Sequence, residues 1–184
     1  MAQQRGLHER ELLDALERIP AEPFSGTAWR ATWAGREPLA GSAAGGRWSP
    51  TGDFEVLHTS LEADGAIAET YSHLSRAPVF SSAHLKLHRL HVEARRTLRF
   101  RDVEALAPFG VDAATLKNIT YERTQALGAA AHFLEFVGLI VPSVRWPCLN
   151  LILFLDRLDV GAALRLEETL DINWPVWKER HTSG

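Results

Sequence analysis

The chain has 184 residues, 46% of them apolar and 23% charged, with a formal net charge of −3 and a pI near 6.2. That length suits one domain burying about 70% of its unfolded surface, and the slightly acidic balance excludes an overall basic face for nucleic acid. A single cysteine, Cys148, excludes an internal disulfide and suits a reducing cytosol; with no signal-peptide pattern and no apolar run of bilayer length, a cytoplasmic protein with no membrane contact is expected.

The first predicted element is a helix over Leu7 to Ile19, with Leu12, Leu13, Leu16 and Ile19 at helical spacing and Pro20 and Pro23 to stop it. Thr27 to Trp33 reads as a strand containing Arg30, followed by a Gly, Ala and Ser-rich loop over Ala34 to Gly46. Gly45-Gly46-Arg47-Trp48-Ser49-Pro50 then forms a turn. Paired glycines open backbone conformations closed to other residues, so this turn can hold Arg47 against a bound anion. The plain alternative is a tight loop with a solvent-facing arginine.

Phe54 to Thr59 reads as a second strand carrying His58, and Leu61 to Leu74 as a helix carrying Glu69, with Ser60 as its N-cap. Leu85, Leu87, Leu90 and Val92 alternate with a slip after Leu87, which predicts a bulged strand. The basic run from His88 to Arg101 reads as a solvated strand edge, and its histidines as solvent-facing. Asp102 to Leu106 and Asp112 to Leu116 read as short helical turns with acidic caps, and Thr120 to Val137 as the longest helix. Leu139 to Val141 and Leu149 to Leu155 are apolar enough for central strands, with Cys148 a buried small hydrophobe beside them. Ala163 to Asp171 supplies a last strand, and Asn173 to Trp177 a tail that docks by its tryptophans. The order lacks regular β-α-β alternation, so the fold class is α+β with a mixed, mostly antiparallel sheet and flanking helices.

Several chemistries lack their signatures. There is no dinucleotide-binding glycine fingerprint after a strand and no P-loop. The histidines have no suitably spaced carboxylate or cysteine for a metal site. A dispersed polar set is left: Arg30, Arg47, His58, Glu69, Ser143 and Asn150. Each has a plain alternative, Glu69 as an exposed helix glutamate, Ser143 as a turn hydroxyl and Asn150 as a partner for backbone groups at a strand start.

Taken together, these residues carry a resemblance. Trp29-Arg30, Gly46-Arg47-Trp48-Ser49-Pro50 with Gly52, Leu57-His58-Thr59-Ser60, Ala66-x-Ala68-Glu69, Val141-Pro142-Ser143 and Asn150-Leu151 resemble the RES-domain family, named for its Arg, Glu and Ser. Arg47, Glu69 and Ser143 fall on the naming positions. The matched core runs from about 27 to 157 within a single domain of 1–184, with a helical extension over 1–26 and a C-terminal strand and tail over 158–184.

The resemblance implies a fold similar to ADP-ribosyltransferases and a bacterial toxin that consumes NAD by cleaving its nicotinamide–ribose bond, with water or phosphate as acceptor and no metal. It implies Arg47, Glu69 and Ser143 as catalytic residues and Arg30, Arg47, Trp48, His58 and Asn150 as NAD contacts. It further implies a cognate helix-turn-helix antitoxin, no direct nucleic-acid binding by this chain, and room for a homo-oligomer. Transfer of ADP-ribose to a macromolecular target and a non-catalytic interaction module are the alternatives. Two departures stand inside the match: His58 where members often have tyrosine, and Phe154-Leu155 where members tend to carry Asn-Pro.

Overall fold

The computed structural model describes residues 2–74, 84–118, 120–158 and 163–182. Helix α1 (Ala2–Glu17) ends before the expected Ile19. Proline at 20 disfavours helical backbone at the residue before it, and Ile19 closes the end by donating from its backbone N–H to the Leu16 carbonyl at 3.1 Å. Strand β1 (Glu22–Trp33) begins five positions ahead of the expected Thr27, with Pro23 tolerated at its start.

Strand β2 (Val56–Ser60) leads into α2 (Ala63–Leu74), and β3 (Leu85–Arg99) follows. A 3-10 turn (Glu104–Phe109) and the short helix α3 (Ala113–Lys117) both use the expected acidic caps: Asp102 Oδ1 accepts from the Ala105 N–H at 2.8 Å, and Asp112 Oδ1 from the Thr115 N–H at 2.7 Å. The Thr115 contact holds the Asp112 carboxyl below its usual range. Helix α4 (Glu122–Phe133) is shorter than predicted. Glu135 takes a left-handed φ of 62°, and the Phe136 N–H donates back to the Ala131 carbonyl at 3.1 Å, so the chain turns out of the helix there.

Strands β4 (Gly138–Pro142), β5 (Leu149–Phe154) and β6 (Leu164–Asp171) come next. The tryptophan tail is a helix, α5 (Trp174–Thr182). It does dock: Trp177 Nε1 donates to Asp64 Oδ1 at 2.8 Å, and Trp174 and Trp177 pack beside Tyr71 of α2.

Strand order is β1-β2-β5-β4-β3-β6, and β1 also pairs with β3, so the pairings close a circuit. Every pairing is antiparallel except β3–β4. The mixed, mostly antiparallel α+β expectation is therefore met. Two details differ. The basic run is not an edge: β3 pairs with β1 on one side and with β6 and β4 on the other. Its own extra residue falls opposite β1, between Ala94 and Thr97, not after Leu87, while the shift between Arg89 and Leu90 comes from an extra residue on β6, Glu167.

One face of the curved sheet gathers Ala28, Leu57, Leu90, Val92, Ile140, Leu151 and Leu153 into a core that draws on strands β1 to β5. The other packs Val56, Leu139, Val141, Ile152 and Phe154 against Leu16 of α1 and Leu127 and Ala131 of α4. Period-two alternation sorts neighbouring residues such as Leu139 and Ile140 to opposite faces.

Candidate functional site

Antiparallel pairing brings the end of β2, the start of β5 and the end of β4 to one edge of the sheet. Asn150 sits across from both Ser60 and Val141. It shares the face of Ile152, as His58 shares that of Val56, so both side chains lie on the α4 side. Ser143 follows directly after β4. Over this edge lies a cleft of about 490 Å³, within the range of small-molecule sites.

At its floor the Ser143 Oγ donates to Glu69 Oε1 at 2.7 Å, and Asn150 Nδ2 donates to the same oxygen at 2.9 Å. Three separate elements thus converge on one half-buried carboxylate. Ser143 Oγ also accepts from the backbone N–H groups of Arg145 and Trp146, at 3.1 and 3.3 Å, which fixes the loop after β4. Asn150 Oδ1 is buried with no partner among the described residues. A buried acceptor left unpaired is costly, so this oxygen is available to a donor on a bound molecule.

Arg47 is not a solvent-facing loop residue. The turn is closed by Gly46 N–H donating to the Ser49 carbonyl at 2.9 Å, with Gly45 at φ 81°. Arg47 is half-buried, its guanidinium 4.7 Å from the centre of the Tyr121 ring. Nη1 donates to the carbonyls of Leu116 and Asn118 at the end of α3. Burial pulls its pKa below the usual arginine value, while Tyr121 and Glu69 act to raise it and Arg145 to lower it.

Arg30 lines the same cleft but is tied elsewhere: its Nη1 donates to the Pro38 and Ala40 carbonyls at 3.0 and 2.8 Å, pinning the loop after β1. Burial, with Arg36 nearby, lowers its pKa to about 10. His58 is exposed on the cleft wall beside the glycine turn, where a Cβ added to Gly46 would come within 3.4 Å of its Nε2. Trp48 touches the cleft, yet its side chain is only 2% exposed and belongs to the core.

Residues that sequence reasoning passed over support the glycine turn, and one of them, Tyr121, also lines the cleft. Tyr121, Gln125 and Gly128 lie four and three apart on α4 and meet the glycine turn in succession. Tyr121 supports Arg47, Gln125 Nε2 donates to the Gly46 carbonyl at 2.9 Å, and Gly128 lies against the Trp48 carbonyl. Their i, i+4, i+7 spacing was the available signal. Arg36 and Arg145 line the cleft as well, and Glu69 is the only carboxylate among its described lining residues.

Two further expectations need correction. His88 is buried, with its ring nitrogens hydrogen-bonded to Thr32 Oγ1 at 2.8 Å and Thr169 Oγ1 at 2.9 Å. Cys148 is only partly buried and lies 3.3 Å from Ser60 Oγ; burial pushes its thiol pKa up. Among the described residues no cluster of three or more His, Cys, Asp or Glu could hold a metal ion, and no helix is long and apolar enough to cross a membrane.

A profile of the RES domain family matches residues 16–176. Proteins named NAD(+) phosphorylase MbcT, from Mycobacterium tuberculosis and Mycobacterium bovis, are 26% identical over 174 residues, covering 89% of this chain and 93% of theirs. The crystal structure of the M. tuberculosis MbcT–MbcA toxin–antitoxin complex contains a chain that superposes with a TM-score of 0.80. Sequence identity there is 25%, over 96% of this chain and 98% of that one.

Proposed function

The chain belongs to the RES-domain family, and we propose on that footing that it is an NAD-consuming toxin cleaving the nicotinamide–ribose bond with phosphate as acceptor. The relatives' name, NAD(+) phosphorylase, supports phosphate over water. The observation that carries the reading is the Glu69 carboxylate, held by Ser143 and Asn150 at the floor of an arginine-lined cleft.

Cleavage expels neutral nicotinamide and leaves positive charge developing on the ribose. Among the described residues both hydrogen bonds to Glu69 fall on Oε1, which supports Oε2 as the oxygen that accepts from a ribose hydroxyl and sets negative charge beside the developing cation. Fixed charge in a preorganised site acts most strongly where charge appears in the transition state. Arg47 binds the pyrophosphate through the nitrogens not engaged by α3, with Arg30 and Arg36 adding positive field from the same side. Asn150 Oδ1 accepts from a ribose or carboxamide donor. His58 flanks the nicotinamide ring, and Trp48 backs the pocket from the core rather than stacking on the ring. A cognate antitoxin partners this toxin, in line with the complex in which the structural relative was solved.

Nicotinamide release measured with NAD and phosphate tests the reading. Glu69→Gln keeps the acceptor oxygen for Ser143 and Asn150 but removes the charge, and is expected to lower kcat by about 100-fold or more. Full release by that variant would exclude the assigned role. Label from NAD appearing on a protein band instead of in small products would favour ADP-ribosyl transfer.

A further inference from the structure

Resting on the NAD-cleavage reading, we propose that Arg145 binds the acceptor phosphate and so decides between phosphate and water as nucleophile. Among the described residues four arginines line the cleft, and three of them come from the β1–β2 side: Arg30, Arg36 and Arg47. Arg30 is tied to loop carbonyls, and Arg47 is anchored to the end of α3 and backed by Tyr121. These form the pyrophosphate side.

Arg145 comes from the opposite side, on the loop after β4. Its backbone N–H donates to Ser143 Oγ at 3.1 Å, and that hydroxyl donates to Glu69 Oε1 at 2.7 Å. It is therefore the arginine bonded directly into the group that faces the reacting ribose. Its side chain is exposed and makes no ion pair among the described residues. The Arg145 charge also reaches Arg47 and disfavours the protonated form there. An anion seated between the two arginines relieves that repulsion. A guanidinium fork fits a tetrahedral oxyanion through parallel hydrogen bonds, which a water nucleophile does not need.

The step balances without any further reactant. An oxygen of hydrogen phosphate supplies the electron pair for a new bond to the anomeric carbon of the nicotinamide ribose. The carbon–nitrogen bond breaks with its pair passing to the ring nitrogen, so nicotinamide leaves neutral. Phosphate keeps its proton, and the product is ADP-ribose carrying an anomeric phosphate. Holding phosphate beside Glu69 is also holding like charges together, and Arg145 offsets that repulsion.

The test is steady-state turnover of wild type, Arg145→Gln and Arg145→Lys with NAD at varied inorganic phosphate, with nicotinamide, ADP-ribose and ADP-ribose phosphate separated by chromatography. For Arg145→Gln the KM for phosphate is expected to rise about tenfold or more. The products should shift toward ADP-ribose, while the KM for NAD stays within about twofold. Arg145→Lys, which keeps charge but loses the fork, should fall between; should the glutamine variant not fold, the lysine variant decides by the same measure. An unchanged phosphate KM and product ratio overturns the assignment, as does a wild type that yields only ADP-ribose. A wild type that releases no nicotinamide at all overturns the NAD reading itself, which separates the two failures.

Discussion

Arg47 and Glu69 line one cleft, and their supports differ in kind. Glu69 is held by side chains, Ser143 and Asn150, whereas Arg47 is held by backbone carbonyls of α3 and the face of Tyr121. Carbonyls at a helix end carry partial negative charge, so they anchor the guanidinium without consuming a carboxylate. For Arg47→Ala the KM for NAD is expected to rise about 10-fold to 100-fold, as the loss of charge-assisted hydrogen bonds implies; an unchanged KM would remove Arg47 from the pyrophosphate. Glu135 is the other residue whose backbone stands out. At φ 62° a side chain is strained by about 1 kcal/mol, which glycine would relieve. Glu135→Gly is thus expected to raise Tm by about 2–4 °C, read by calorimetry with turnover unchanged.

At the scale of elements, α4 is the support for the glycine turn. A Cβ at Gly128 would stand 1.8 Å from the Trp48 carbonyl oxygen, and the nearest atoms are all backbone, so nothing flexible can yield. Gly128→Ala must push α4 off the turn, at an expected cost of about 2–3 kcal/mol, seen as a lower denaturation midpoint together with a higher KM for NAD. A variant of unaltered stability would mean the helix does not seat on the turn as described. The C-terminal helix α5 plays a comparable part on the other side. Trp177 bonds Asp64 at the start of α2 and lies 6.0 Å from Trp146, while His181 meets Trp146 edge-on at 5.0 Å. It therefore bridges the helix bearing Glu69 and the loop bearing Ser143. Trp177 and His181 lie just beyond the span matched to the family profile, residues 16–176.

At the scale of the whole molecule, His88 ties three strands together and links stability to pH. It is buried, and burial first, then Arg30 and Lys86, holds its pKa below the usual 6.5, with Glu37 acting the other way. The unfolded chain therefore takes up a proton at a higher pH than the folded one. Stability is full above about 6.5 and falls as the pH drops from there toward the folded value. Tm should decline on acidification below pH 6.5, and His88→Gln, which retains hydrogen-bonding groups but cannot titrate there, should flatten that decline; an equal slope in both would exclude His88 as its source. The same residue shows where local reading stops. Capping aspartates, the glycine turn, the proline-bounded first helix and the central strands are local matters of propensity, spacing and allowed backbone angles, and all were legible in the order of residues. The Ser143 and Asn150 positions were legible only through family resemblance. Burial of His88, the placing of β3 between other strands, the anchoring of Arg47 by Leu116 and Asn118, and the approach of Arg145 to the Glu69 group were not. Each depends on which distant segments pair across the closed circuit of strands, and a pattern of period two or 3.6 specifies which face of an element is apolar but not what that face will meet.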